Sequence, residues 1–266
     1  MTAVSMIRGL PVSARSLAET IDLLTSWIEE RGPSRFFACV NAHSAETAHR
    51  DQAFMAALQA AGILVADGYG VILASRLLGR PILERSTGPD LFMALSKRLD
   101  FQGGRSVFYL GGTPATLRSI HTRHSEVFPR LRIAGSFAPP FRTAFGPAEL
   151  AEMTDAINDA SPDVLWVGLG APKQEKWIHT NASRLRVPLC GPIGAAFDYF
   201  AGTMKRPPQW VERAGLHWAY RLAQEPRRLW RRNLDSPLFL TRVLAERFGV
   251  VSAGFPPPSS SPRKDR

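Results

Sequence analysis

The chain has 266 residues, of which 45% are hydrophobic and 21% charged, and its formal net charge is +10. This length fits one large domain, or one domain with an appendage, and the composition is typical of a soluble globular protein. The sequence contains no apolar run of roughly 18 residues, and from its first residues we expect no secretory signal. The two cysteines, Cys39 and Cys190, are too few for a disulfide framework, and we expect a cytoplasmic protein.

Short apolar runs alternate with amphipathic segments through most of the chain. This pattern predicts an α/β fold with a mostly parallel, Rossmann-like sheet and helices on both faces. The predicted strands cover residues 34–42, 63–67, 106–112, 131–139, 163–170 and 187–194. The predicted helices cover residues 45–62, 70–79, 88–99, 113–128, 146–161 and 172–185.

The alternation stops near residue 203, where a basic segment begins. Residues 205–232 hold eight basic side chains against two acidic ones, a net charge of +6, interleaved with tryptophans. Such a block favours an anionic partner: a phosphate-bearing ligand, an anionic membrane surface or nucleic acid. We therefore divide the chain into an α/β core (1–202), a helical basic appendage (203–250) and a disordered Pro/Ser-rich tail (251–266).

Unusual residues follow several of the predicted strands. In an open α/β sheet, ligands bind beyond the carboxyl ends of the strands, so these positions are candidates for a site. Gly111 and Gly112 stand at the end of one predicted strand, and Gly168 and Gly170 stand at the end of another. Glycine permits a close backbone approach, and the helix that follows points N–H groups at anions, as a nucleotide diphosphate requires. Neither turn matches GxGxxG or a P-loop, and a glycine after a strand is more often simply a turn.

Polar groups surround these turns. Gln174 and Glu175 open the helix after Pro172 and can bind sugar hydroxyls or a base edge, or merely complement the helix N-terminus. Asp67, which follows a buried strand, suits a general base and a turn former equally well. His43 is a second candidate base, although a lone histidine is more often structural. We find no metal-ligand spacing and no Asp-x-Asp, and expect a site without metal or cofactor.

Five stretches together resemble the WecG/TagA/CpsF glycosyltransferases, glycosyltransferase family 26. They are VNAHS, VADGYGVILASRLLGRPILERSTGPDLF, VFYLGGTP, SPDVLWVGLGAPKQEKWI and the segment from GPIGAAFDYF to EPRRLWRR, and they span about residues 40–232. The resemblance implies an inverting, metal-independent transfer from a UDP-sugar, such as UDP-N-acetylmannosamine, its uronic acid or UDP-glucose. The implied acceptor is a polyprenyl-diphosphate-linked sugar in cell-surface polysaccharide biosynthesis.

The resemblance also assigns roles to residues of this chain. Asp67 becomes the general base, Asn41 lies on the acceptor side, and Arg221, Arg228 and Arg231 stabilise the leaving UDP. The residues expected to bind substrate are Gly68, Arg85, Asp90, Gly111, Gly112, Gly168, Gly170, Pro172, Lys173, Gln174, Glu175, Asp198 and Arg206.

The implied partners follow from the same resemblance. They are the UDP-sugar, the lipid-linked glycan and the anionic inner face of the plasma membrane, with a homo-oligomer as a further possibility and nucleic acid not expected. The alternative is a non-catalytic nucleic-acid-binding protein that uses the arginines and tryptophans of 205–232, but this would leave Asp67 and the 172–175 stretch unexplained.

Overall fold

A computed structural model describes residues 4–142, 144–205, 208, 211, 220, 222–223 and 226–248, without the side chains of 226–234. Its strands are β1 (Val4–Ile7), β2 (Leu10–Ser13), β3 (Arg35–Val40), β4 (Ile63–Ala66), β5 (Ser106–Gly111), β6 (Arg132–Phe137), β7 (Val164–Gly168) and β8 (Leu189–Pro192). Its helices are α1 (Leu17–Glu30), α2 (Ala42–Arg50), α3 (Gln52–Ala60), α4 (Tyr69–Leu77), α5 (Gly88–Gln102), α6 (Pro114–Val127), α7 (Pro147–Ala160), α8 (Lys173–Asn181), α9 (Ala196–Ala201) and α10 (Pro226–Arg247).

The eight strands form one sheet in the order β1-β2-β4-β3-β8-β7-β5-β6. Only the β1–β2 pair is antiparallel, and every other pair is parallel. The predicted fold class, a mostly parallel α/β sheet, is therefore confirmed. The last strand, β8, lies between β3 and β7, so the carboxyl ends of β4, β3, β8 and β7 are neighbours.

Two hydrophobic cores cover the two faces of the sheet. One core is formed with α2, α3, α4, α7, α8 and α10, and the other with α1, α5, α6 and α9. Adjacent residues of β3 face opposite cores, Phe36 towards the first and Phe37 towards the second, as the two-residue period of a strand requires. Burial on both faces explains why the strands appear in the sequence as continuous apolar runs.

Three local features differ from the predicted elements. The single helix predicted at 45–62 is wrong, because Asp51 separates α2 from α3: its N–H bonds the carbonyl of Thr47, and its side chain accepts from the N–H of Phe54 at 3.0 Å. The hairpin β1–β2, which turns through Arg8 and Gly9 at positive φ, was missed. Helices α1 and α9 were also missed.

Helix α10 packs against α2 and α4 on the outside of the first core. Among the side chains of α10 that the structure describes, Phe239 and Val243 are fully buried in that core. Among the residues that the structure describes, no helix is both long enough and apolar enough to cross a bilayer. The proposed tail, 251–266, lies outside the described residues.

Candidate active site

An open cleft lies at the carboxyl ends of β3, β4, β7 and β8. Its first wall comes from the turns that follow β3 and β4, and includes Asn41, His43 and Asp67. Its second wall comes from the turn after β7 and the start of α8, and includes Gly170 and Glu175. The two walls are only one strand apart, because β8 lies between β3 and β7.

Backbone hydrogen bonds hold the first wall in place. The N–H of Asp67 donates to the carbonyl of Val40 at 2.8 Å, which ties the end of β4 to the end of β3. Asn41 caps α2, because its Oδ1 accepts from the N–H of Ser44 at 2.9 Å. Gly68 has φ of 140°, and a Cβ there would lie 3.5 Å from Cβ of Asn41. Asp67 and Asn41 therefore follow paired residues of β4 and β3 and are neighbours at the edge of the sheet.

The loop between α4 and α5 contributes a cation to the cleft, and the first turn of α5 contributes a carboxylate. The Arg85 guanidinium lies 5.2 Å from the centre of the Tyr69 ring, a cation–π contact at the start of α4. Asp90 accepts hydrogen bonds from the Thr87 hydroxyl at 2.5 Å and from its N–H at 3.3 Å, which forms a capping box at α5. Both residues line the cleft, and Asp90 already has a structural task there.

The second wall has an internal hydrogen-bond network. Gln174 is buried, its Oε1 accepts from the N–H of Gly170 at 3.1 Å, and its Nε2 donates to Glu175 at 2.9 Å. The amide of Gln174 thus fixes the glycine turn to the first turn of α8. Glu175 is also buried. The Ala171–Pro172 peptide, which lies between Gly170 and Gln174 in the chain, is cis.

The Cys39 thiol in the cleft lies near three carboxylates. Burial raises the pKa of the Cys39 thiol well above its usual range, and the negative charges of Asp67, Glu175 and Asp90 raise it further. Cys39, which also lines the cleft, therefore remains a neutral thiol near pH 7 and is unsuited to nucleophilic catalysis.

Several predicted site residues lie away from the cleft lining. Gly111 pairs with Gly168 across β5 and β7, and a Cβ on Gly111 would lie 2.6 Å from the Gly168 carbonyl. Lys173 turns towards the β6–α7 loop, where its ammonium donates to the carbonyl of Arg142 and lies 3.6 Å from the Phe145 ring centre. Desolvation there lowers the pKa of Lys173. Gly68, before α4, Gly112, before α6, Gly168, at the end of β7, and Asp198, on α9, are also absent from the lining.

The structure describes only part of the predicted arginines of the basic segment. Arg206 and Arg221 lie outside the described residues, and Arg228 and Arg231 belong to α10 with side chains outside them. The predicted roles of all the site residues remain predictions.

One contact at the cleft was not anticipated from the sequence. His43, considered only as a second candidate base, has its Nδ1 2.6 Å from a carboxylate oxygen of Asp235 on α10. The two residues are 192 positions apart, and no local motif marks Asp235.

The fold and the cleft define an α/β protein with a polar site at the carboxyl edge of a parallel sheet. The model of the "Glycosyl transferase WecG/TagA/CpsF family" matches residues 5–252, so the chain belongs to this family and is a glycosyltransferase.

Three relatives are similar over most of their length, and all are named "N-acetylglucosaminyldiphosphoundecaprenol N-acetyl-beta-D-mannosaminyltransferase". The one from Bacillus spizizenii is 32% identical over 84% of this chain and 83% of its own. The Bacillus subtilis protein is 29% identical, over 90% and 91%. The Staphylococcus aureus protein is 25% identical, over 91% and 92%.

Proposed function

We propose that this chain transfers a sugar from a UDP-sugar to a hydroxyl of a sugar carried on a polyprenyl diphosphate, with inversion at the anomeric carbon. The observation that carries the proposal is the position of Asp67, held beside Asn41 in a cleft at the carboxyl edge of the sheet. The names of the three relatives make UDP-N-acetylmannosamine the first donor to test and N-acetylglucosaminyl diphosphoundecaprenol the first acceptor.

In the proposed reaction Asp67 acts as the general base. The acceptor oxygen forms the new bond to the anomeric carbon as its proton moves to the Asp67 carboxylate. The bond between the anomeric carbon and the diphosphate oxygen breaks, and its electron pair leaves with UDP. We assign the wall around Gly170 and Glu175 to the donor and the wall around Asn41 to the acceptor.

Negative charge develops on the leaving diphosphate and needs positive neighbours. Arg85 lines the cleft and can serve this role. Arg231 and Arg228 precede Asp235 by four and seven residues on α10, a spacing that places those positions on the helix face of Asp235, which meets His43. We propose that both arginines act at the leaving diphosphate, without a metal ion.

We further propose that the chain works as a peripheral protein on the inner face of the plasma membrane, where a polyprenyl-linked acceptor is available. The basic segment 205–232 would contact anionic head groups. A homo-oligomer and the absence of a nucleic-acid partner both stay predictions.

The test is a screen of UDP-sugars against the polyprenyl-diphosphate-linked acceptor, with UDP release as the readout, in paired reactions with and without EDTA. We expect acceptor-dependent UDP release from at least one donor, at a rate that the chelator leaves unchanged. Release that appears only after manganese or magnesium is supplied would contradict the arginine-based site. Failure of all donors with well-folded protein would contradict the proposed transfer.

A further inference from the structure

The contact between His43 and Asp235 joins the cleft to the C-terminal helix. His43 lines the cleft from the first turn of α2, while Asp235 is buried, with 7% of its surface exposed, on α10. Oδ2 of Asp235 lies 2.6 Å from Nδ1 of His43, and Oδ1 accepts from the Arg50 guanidinium at 3.0 Å. Each oxygen of this buried carboxylate is therefore engaged by a different residue of α2.

The chemistry of the two groups fixes where the hydrogen lies. A carboxylate only accepts hydrogen bonds, so Nδ1 of His43 must carry the hydrogen that it shares with Asp235. In the neutral ring this leaves Nε2 as the accepting nitrogen. Asp235 thus selects one tautomer of a side chain that faces the cleft.

Other contacts of α10 with the rest of the chain surround this one. Glu46 is fully buried on α2 and pairs with Arg242 of α10, and Arg8 of the β1–β2 turn pairs with Glu246 at the far end of the same helix. Phe239 and Val243 add apolar burial. The docked helix therefore sets the position of Asp235, and Asp235 can in turn orient the His43 ring.

We propose that Asp235 is a positioning residue: it orients His43 so that Nε2 accepts a hydrogen bond from a hydroxyl of the acceptor sugar. This inference rests on the proposed function, because it uses Asp67 as the group that meets the acceptor. His43 shares a wall of the cleft with Asp67, so a sugar with one hydroxyl at Asp67 presents its other hydroxyls to that wall. The acceptor side of the cleft is then complete only while α10 is docked.

The test compares Asp235→Asn with the parent protein at varied donor and varied acceptor concentrations. An asparagine amide can donate to Nδ1 and so favours the opposite tautomer, with the hydrogen on Nε2. We expect kcat/KM for the acceptor to fall by about 10- to 100-fold, with the donor KM within about twofold of the parent value. Asp235→Glu, which restores an acceptor-only carboxylate, should recover part of the loss. ¹⁵N NMR of the His43 ring should show hydrogen on Nδ1 in the parent and on Nε2 in Asp235→Asn.

Glu246→Gln is the matched control, since it weakens another tie between α10 and the rest of the chain without touching His43. It should keep both the tautomer and the acceptor kcat/KM of the parent. An equal loss in Glu246→Gln would assign the effect to a loosened helix and overturn the proposal. An unchanged acceptor kcat/KM in Asp235→Asn would also overturn it.

Two further measurements keep these outcomes separate. If Asp235→Asn unfolds, His43→Asn must reproduce the acceptor-specific loss, and a normal acceptor kcat/KM in His43→Asn would refute the role of the ring. The NMR comparison uses no substrate, so it decides the Asp235–His43 pairing even if no UDP-sugar is transferred. In that case the proposed function fails while the pairing stands.

Discussion

The two glycines in the stretch Gly168–Leu169–Gly170 serve different physical purposes. A Cβ on Gly168 would lie 2.5 Å from the Phe197 ring, so this position must be glycine for the core beneath the site to close. Gly170 has φ of +78° with open space around its Cα, and it lines the cleft. The expectation that both glycines admit a ligand therefore has structural support only at Gly170.

This difference predicts unequal effects of two alanine substitutions. Gly168→Ala should lower the free energy of unfolding by about 1–3 kcal/mol, because the methyl group overpacks against Phe197. Gly170→Ala should cost about 1 kcal/mol, the strain of an alanine in the left-handed region. Urea unfolding of the two variants measures both values. A larger loss in Gly170→Ala than in Gly168→Ala would contradict the packing role of Gly168.

Residues at strand ends were the predictable part of the site. A parallel sheet brings the carboxyl ends of its strands to one edge, and this rule applies as soon as the strands are predicted. The cleft is accordingly lined by Asp67, Gly170, Gln174 and Glu175. The direction of Lys173 could not be predicted, since it depends on where the loop that carries Phe145 lies. A side chain at the start of a helix can turn towards either neighbour, and only packing decides.

For helix α10, the sequence predicts the kind of segment and the structure shows how the helix packs. The basic composition of the segment predicts an appendage at 203–250, and helix α10, which is described within it, packs against α2 and α4. The sequence did not indicate that Phe239 and Val243 of this helix are buried in one of the two cores. A truncation after Gly202 would uncover that core, so single substitutions on α10 test its role more cleanly.

Phe239→Ala should undock α10. The residue is fully buried, and loss of a buried phenylalanine side chain costs about 3–5 kcal/mol. Phe248→Ala is the matched control, because Phe248 is 74% exposed, and it should change stability by less than about 0.5 kcal/mol. Chemical denaturation measures both. Equal stabilities for the two variants would show that α10 is not packed as described.

A predicted element boundary is wrong where a single side chain ends a helix although the apolar spacing continues. Apolar spacing continues across residues 45–62, yet Asp51 ends one helix and caps the next, and its carboxylate also accepts from Lys176 at 2.8 Å. The hairpin β1–β2 has strands of only four residues, too short to give a clear alternation. The order of the strands could not be predicted either, because no local sequence pattern indicates that β8 lies between β3 and β7.

At the scale of the whole molecule, the net charge of +10 and the block at 205–232 bear on the proposed membrane partner. Each basic residue near an anionic surface contributes about 1 kcal/mol, and salt screens this attraction. We expect the protein to sediment with phosphatidylglycerol-containing vesicles at low salt and to release from them in high salt. Vesicles of phosphatidylcholine alone are the control, and equal binding to them would contradict an electrostatic contact.

The most direct measurement is acceptor-dependent UDP release by the parent protein and by Asp67→Asn, side by side at saturating substrates. Asp67 is the one group of the cleft to which we assign the acceptor proton, and general-base assistance contributes about 10²- to 10⁴-fold. We expect Asp67→Asn to keep the parent's thermal unfolding midpoint within a few degrees and to lose at least about 100-fold in rate. A well-folded Asp67→Asn protein that transfers sugar within about threefold of the parent rate would contradict the assignment.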